Sequence, residues 1–321
     1  MNPSGFRHVY GPVPSHRLGR SLGVDLVPFK VCTYDCIYCQ LGRTTCKTLD
    51  RKEYVPVEEA LTELEASLRE GSAPDYIGLA GSGEPTLNTG IGALINGIKA
   101  MTPIPVAVLT NGSLLWMPEV REALMRADLV LPSLDAGDPR AFRTINRPHE
   151  GIAFDRMVDG IAEFTRDFPG EVWLEVFLLA GVNDGPASVE SLAALTRRIG
   201  PARVQLNTVS RPPTESSALA PSHERMPYLL DSFPGQAELV HDGGLEALAA
   251  GAPQGAEGGA ILALLGRRPC TSEDVANGLG IHRLETLKVL DRLIADGEVR
   301  KIVAAGRTFY TSIVPGERPE P

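Results

Sequence analysis

Three cysteines within eight residues form the segment of this sequence best equipped for chemistry. It reads Cys32-Thr33-Tyr34-Asp35-Cys36-Ile37-Tyr38-Cys39, a C-x3-C-x2-C spacing. Three thiolates on one tight loop can hold three corners of a cubane iron–sulfur cluster. The fourth iron is then left open to an exogenous molecule. Soft thiolates also suit zinc, but structural zinc sites use four ligands, usually on paired knuckles. No second C-x2-C pair exists here, so Cys46 would have to be the fourth ligand, at an unusual spacing. The fifth cysteine, Cys270, is remote in sequence. Clustering of this kind points to metal or catalysis rather than disulfides.

Other polar positions recur just after apolar, β-branched runs. Gly81-Ser82-Gly83-Glu84-Pro85-Thr86 follows Tyr76–Ala80, Thr110-Asn111-Gly112 ends the next run, and Ser133-Leu134-Asp135 the one after. Glycines allow close backbone approach, and a carboxylate such as Glu84 can accept the hydrogens of a cationic amine. Each segment also has a plain reading, as a Gly-Pro turn, an Asn-Gly turn or an Asp helix cap. Further on, Asn183-Asp184 is either a site contact or a capping turn, and Gln205 and Asn207, on a later apolar run, can face a bound cofactor or substrate. Arg17, Arg20, Lys30 and Arg211 can meet a substrate phosphate or carboxylate, or remain solvated charges.

These residues need a frame to position them. Strands are expected at 23–28, 76–80, 105–109, 129–134, 172–179 and 204–208, with a short last strand at 237–241. Helices are expected at 57–70, 91–101, 118–126, 152–168, 189–199 and 222–233. Strict strand–helix alternation implies an α/β fold with a parallel sheet and helical crossovers. Six units are too few for a full eight-unit barrel and fit a partial (β/α)6 barrel, with ligands at the carboxyl ends of the strands. The barrel is expected over 1–248. Small residues over 249–258 then form a linker. A second module, 259–314, contains three helices and a hairpin around Ala304–Arg307, with Thr271 and Asp274 forming a capping box. This order resembles a small C-terminal winged helix-turn-helix domain. The tail 315–321 is Pro- and Glu-rich and expected to be disordered.

Hydrophobic residues make up 43% of the 321-residue chain and charged residues 22%, which allows two domains with sizeable cores. A net charge of −9 argues against a surface that wraps nucleic acid throughout. The first residues carry no apolar h-region and no run reaches membrane-spanning length, so a cytoplasmic protein with no membrane partner is expected.

The C-x3-C-x2-C loop after the first strand, with Tyr38 just before the last cysteine, resembles the signature of the radical S-adenosylmethionine (SAM) superfamily. The likeness covers about residues 10 to 245. It implies a [4Fe–4S] cluster on Cys32, Cys36 and Cys39, whose open iron takes the amino and carboxylate groups of SAM. One electron, from a reductant such as flavodoxin or ferredoxin, then breaks the sulfonium bond. Methionine and a 5'-deoxyadenosyl radical result, and the radical abstracts a substrate hydrogen. Gly81-Ser82-Gly83-Glu84-Pro85 resembles the family's GGEP motif with Ser82 as a departure. The resemblance implies SAM contacts at Gly81, Gly83, Glu84, Pro85, Asn111, Ser133, Asp135 and Asn183, with Asp135 on a ribose hydroxyl and Phe177 and Leu178 against adenine. No catalytic residue is assigned beyond the cluster.

Residues Tyr10–Asp25, Cys39–Thr45 and Leu206–Pro213 resemble a group classed near the wyosine-base (tRNA 4-demethylwyosine) synthases. Those enzymes carry a second cluster on upstream cysteines, whereas no cysteine precedes Cys32 here. The substrate class left open is RNA or peptide, and the C-terminal module would dock nucleic acid or protein through Arg283, Lys288, Arg292, Arg300, Lys301 and Arg307. The competing reading is a regulator whose cluster senses redox state or SAM, with the winged helix as a DNA-binding output.

Overall fold

The computed structural model describes residues 6–15, 17–71, 73–240, 258–304 and 306–313. Most of the expected linker, the expected tail, His16 and the His241 end of the last strand lie outside the described residues. The chain opens with a hairpin, β1 (Val9–Ser15) and β2 (Gly19–Val24), paired antiparallel. The sequence did not point to β1, because Pro12 and Pro14 argue against a strand. β1 is the outermost strand of its sheet, where missing N–H groups cost no ladder bond. Strand β2 ends at Val24, earlier than the expected 28, because its pairing with both neighbours, Val9 on one side and Leu79 on the other, runs out there.

A short parallel pair, β3 (Val31–Cys32) and β4 (Cys46–Lys47), brackets the cysteine loop. Alternation follows: α1 (Val57–Arg69), β5 (Tyr76–Leu79), α2 (Ile91–Met101), β6 (Val106–Thr110), α3 (Pro118–Leu124) and β7 (Leu129–Pro132). Two helices, α4 (Pro139–Ile145) and α5 (Phe154–Asp167), then precede β8 (Glu171–Leu178). The unit ends with α6 (Pro186–Ile199), β9 (Arg203–Thr208), α7 (Arg225–Leu230) and β10 (Ala237–Leu239). Helix α4 was not anticipated. It is seven residues long, capped by Asp138, and two turns are too few to show periodicity. Helix α5 shows the opposite case: Phe154, Met157, Val158, Ile161 and Phe164 recur at helical spacing, and all five are buried.

The eight strands run in the order β1-β2-β5-β6-β7-β8-β9-β10, parallel from β2 onward. Among the described residues the two end strands do not pair, so the sheet stays open there. This α/β arrangement with a mostly parallel sheet is consistent with the expected partial barrel. The helix-covered face forms the main core. The inner face is floored by Leu18, Ala107, Leu129, Leu131 and Trp173. Above that floor the inward positions turn polar.

The C-terminal module comprises α8 (Gly258–Leu265), α9 (Ser272–Leu279), α10 (Arg283–Ala295) and a hairpin of β11 (Val299–Ala304) and β12 (Arg307–Ser312). Gly258, placed by the sequence in the linker, begins α8. The Thr271–Asp274 capping box forms as expected. The module has its own core, which includes buried Cys270, and Val13 of β1 packs against it. Among the described residues no helix is long and apolar enough to cross a membrane.

Candidate functional site

Two loops at the carboxyl ends of β2 and β5 build the site. Lys30 adopts a left-handed conformation, φ 61°. Its N–H donates to the Ser82 carbonyl (2.7 Å), and its own carbonyl accepts from Cys46 N (3.1 Å). Glu84 N donates to the Val31 carbonyl (3.1 Å), stitching the loops a second time. Both glycines of the second loop are required by this closeness. A Cβ on Gly83 would lie 1.8 Å from the Val31 carbonyl oxygen. Gly81 has φ 127°, and a Cβ there would lie 1.5 Å from Asp25 Oδ1.

The three thiols are half-buried, and each has one side-chain N–H donor from a different part of the chain. Asn111 Nδ2 lies 3.6 Å from Cys32 Sγ, Asn146 Nδ2 3.5 Å from Cys36 Sγ, and Lys30 Nζ 3.1 Å from Cys39 Sγ. Burial, then the charge of Glu84, pushes the Cys32 thiol up to about 12, and burial raises Cys36 well above its ordinary range. Thiols held this way ionise when a metal replaces the proton. Among the described residues no three Cys, His, Asp or Glu side chains converge on a single ion. A cubane, whose corner irons are separate atoms, needs no such convergence, so the donor set fits a cluster. Cys46 is exposed, and Cys270 belongs to the other module's core.

Two buried carboxylates flank the thiols. Glu84 Oε1 accepts from Thr86 N (3.0 Å), Thr86 Oγ1 (2.5 Å) and Thr110 Oγ1 (2.6 Å), and Oε2 from Asn111 N (2.8 Å). Burial still raises its pKa despite these donors. Glu84 thus ties the ends of β5 and β6 together, with Pro85 opening a single 3-10 turn beneath it. Asn111 also donates to Thr33 Oγ1 (2.8 Å). Asp135 accepts from Tyr38 Oη (2.5 Å), Asn146 Nδ2 (2.6 Å) and Phe177 N (3.2 Å). Burial outweighs those bonds and pushes it up to about 6.

The expected cluster and SAM residues Cys32, Cys36, Cys39, Gly81, Gly83, Glu84, Pro85, Asn111 and Asp135 therefore gather in one place. Ser133 is directed elsewhere on the inner face, to Glu175 (3.3 Å), which also takes Asn207 Nδ2 (2.6 Å) and Arg17 Nη1 (3.1 Å). Asn183 is a buried clamp. Its Nδ2 donates to the carbonyls of Asp135 (2.8 Å) and Phe177 (2.7 Å), and its Oδ1 accepts from Leu179 N (2.6 Å).

Several finer expectations change. Leu178 points into the main core, opposite to Phe177, because strand side chains alternate. The Phe177 ring stacks on Tyr38 with centroids 3.9 Å apart. Gln205 Nε2 is bound by Glu238 (2.7 Å). Arg20 sits at the start of β2, where its N–H donates to Asp75 (2.7 Å), at the wrong end of the strand for the site. Arg211 reaches Asp274 of the C-terminal module (3.8 Å). Asn146 was missed, though it bridges Asp135 and Cys36. Its only sequence signal was a polar Asn-Arg-Pro turn soon after the fourth strand. Its carbonyl and that of Arg147 (φ 44°) also receive Asp35 N, which anchors the cysteine loop.

Comparisons with known proteins give the chain a family and a fold. Residues 26–192 match the family model of the radical SAM superfamily. A UPF0026 protein of Methanocaldococcus jannaschii is 30% identical over 310 residues, 94% of each chain. A UPF0026 protein of Helicobacter pylori is 38% identical over 208 residues, 64% of this chain and 67% of the other. A protein of Brachyspira hyodysenteriae named GTPase Obg is 39% identical over 305 residues; this is 95% of the present chain, which spans only 45% of that relative's length. A radical SAM methyltransferase from Sphaerobacter thermophilus shares the fold at TM-score 0.51 and 18% identity, over 68% of this chain and 66% of that one. Streptococcus suis SuiB bound to S-adenosylmethionine does so at TM-score 0.51 and 14% identity, over 70% and 52%. With 167 of its 321 residues inside the superfamily match and the archaeal relative aligned over 94% of both chains, this protein belongs to the radical SAM superfamily of [4Fe–4S]- and SAM-using enzymes, and within it to the UPF0026 family.

Proposed function

We propose that this radical SAM enzyme acts on a peptide substrate lodged on the inner face of the open sheet, beside Arg17, Ser133, Glu175 and Asn207. Bound cluster and SAM would supply reductive cleavage to methionine and a 5'-deoxyadenosyl radical, with the electron from a flavodoxin- or ferredoxin-type donor. Cys32, Cys36 and Cys39 would hold the cluster. The Gly81–Pro85 loop, held to the cysteine loop by Ser82 and Glu84, would receive the amino acid end of SAM. Asp135, held by Tyr38 and Asn146, would accept from a ribose hydroxyl. The observation that carries the reading is the arrangement of the three thiols, each with its own N–H donor, between two buried carboxylates.

The choice of peptide over RNA rests on charge. In the C-terminal module, whose element order supports a winged-helix reading, Arg283 pairs with Glu273 (2.7 Å), Lys288 with Glu285 (2.7 Å) and Lys301 with Asp291 (3.6 Å). Such pairing leaves little net positive field for phosphates. The likeness to the wyosine-base group makes tRNA the competing substrate to offer.

The test is anaerobic reconstitution, dithionite reduction and SAM addition, with 5'-deoxyadenosine followed by chromatography beside a Cys36→Ala control. Deoxyadenosine from the wild type alone, increased by peptide pools and not by tRNA, supports the proposal. Increase by tRNA alone overturns the substrate class. No deoxyadenosine from a loaded, reducible cluster under any condition favours the redox- or SAM-sensing regulator.

A further inference from the structure

The C-terminal module reaches the SAM loop through one side chain. Arg267, on the turn between α8 and α9, forms an ion pair with Asp25, which lies 242 residues earlier at the end of β2. The guanidinium also stacks over the Tyr10 ring, 3.8 Å from its centroid. Tyr10 in turn covers Gly23, where a Cβ would lie 2.1 Å from Cζ of the ring. These contacts sit within a wider seam, in which Val13 of β1 packs on the module's core and Arg211 meets Asp274.

The two oxygens of Asp25 have different partners. Oδ2 takes Arg267, and Oδ1 accepts from Ser82 N at 2.9 Å. Ser82 is the middle of the Gly-Ser-Gly loop, its carbonyl is bound by Lys30 N (2.7 Å), and Lys30 Nζ donates to Cys39. A continuous chain of polar contacts therefore runs from the C-terminal module through the SAM loop to a cluster thiol. Asp25 is only 7% exposed. Without Arg267 its carboxylate would be left buried and half-paired, a costly state that is relieved by turning toward water and releasing Ser82 N.

We propose that Arg267 is a positioning residue, contributed by the C-terminal module, which acts through Asp25 to hold the Gly81–Pro85 loop in the form that receives SAM. Docking of the module and affinity for SAM are then linked. Whatever draws the module away weakens SAM binding, and SAM favours the docked module by the same factor.

The experiment uses the full chain with Arg267→Met, Arg267→Lys, Asp25→Asn and the Arg267→Met/Asp25→Asn double variant. Hydrogen exchange of the peptide spanning 78–86 is read without SAM, and SAM dissociation constants are read on the cluster-loaded protein. Arg267→Met should speed exchange in that peptide and weaken SAM binding about tenfold, the order set by losing one charge-assisted hydrogen bond. The KM for SAM should rise while kcat at saturating SAM holds, Lys should restore part of the loss, and the double variant should be no worse than the singles. Wild-type exchange and SAM affinity in Arg267→Met, or strictly additive losses in the double variant, would overturn the proposal. If Arg267→Met does not accumulate folded, Arg267→Gln is read the same way. A wild type that fails to bind SAM would count against the SAM site itself, and the exchange experiment would still decide whether Arg267 holds the loop.

Discussion

Among the described residues Lys30 is the one charged side-chain donor to the three thiols proposed to hold the cluster, and Lys30→Met isolates it. Lys30 is 3% exposed, and its Nζ lies 3.1 Å from Cys39 Sγ, whereas the other two thiols receive neutral amides. At an effective dielectric near 20, a unit charge at that distance is worth about 5 kcal/mol. An added electron is shared over the whole cluster, so roughly half of this, about 2–3 kcal/mol, is a better figure. For a one-electron couple that corresponds to a shift on the order of 100 mV. The sign is set by charge: removing a positive group makes reduction harder, so the midpoint falls. Anaerobic redox titration followed by EPR measures it, with Lys30→Arg as the control that keeps the charge. Equal midpoints for Lys30→Met and wild type, at equal iron content, would refute the reasoning and leave Lys30 a packing residue.

Three further outcomes follow from the geometry. Asp135 has a folded pKa near 6, above its ordinary 3.8, so its favourable contribution is full below about 4 and lost as pH rises through about 6. In the apo protein the stability of Asp135→Asn relative to wild type should therefore rise by about 3 kcal/mol between pH 4 and pH 8; a pH-independent difference in denaturant unfolding would contradict this. Gly83→Ala drives a Cβ to 1.8 Å from the Val31 carbonyl, at a cost of about 1–3 kcal/mol or more. It should cut iron per chain after reconstitution at least in half, and full loading would show that the two loops need not be so close. Cys46→Ala should leave iron content and EPR spectrum unchanged because Cys46 is exposed; loss of cluster would make it a ligand after all.

The features legible in the sequence were those encoded locally. The C-x3-C-x2-C spacing lies within one loop, and the helix over Phe154–Asp167 and the strand over Tyr76–Leu79 announce themselves by short-range periodicity. The same holds for the Thr271–Asp274 cap, which closes over three residues. Positions at strand ends were also readable, because an α/β sheet puts ligands there whatever its sequence. That is why Glu84, Asn111 and Asp135 could be named together before the chain was folded.

What each of those side chains does was decided only in three dimensions. The carboxylate of Glu84 is bound by Thr110 and Asn111, and that of Asp135 by Tyr38, 97 residues earlier. Phe177 and Leu178 are neighbours in sequence but face opposite sides of the sheet, as the strand's register dictates. Asn146 carried almost no local signal and still reaches Cys36 across 110 residues. Arg267 carries no local signal of its partner, yet it docks on Asp25, 242 residues earlier. Local pattern dictates backbone conformation because it acts over a few residues, within reach of sterics and periodicity. Pairing of polar side chains across the fold depends on which buried groups the completed packing leaves facing each other, and that is a property of the tertiary structure.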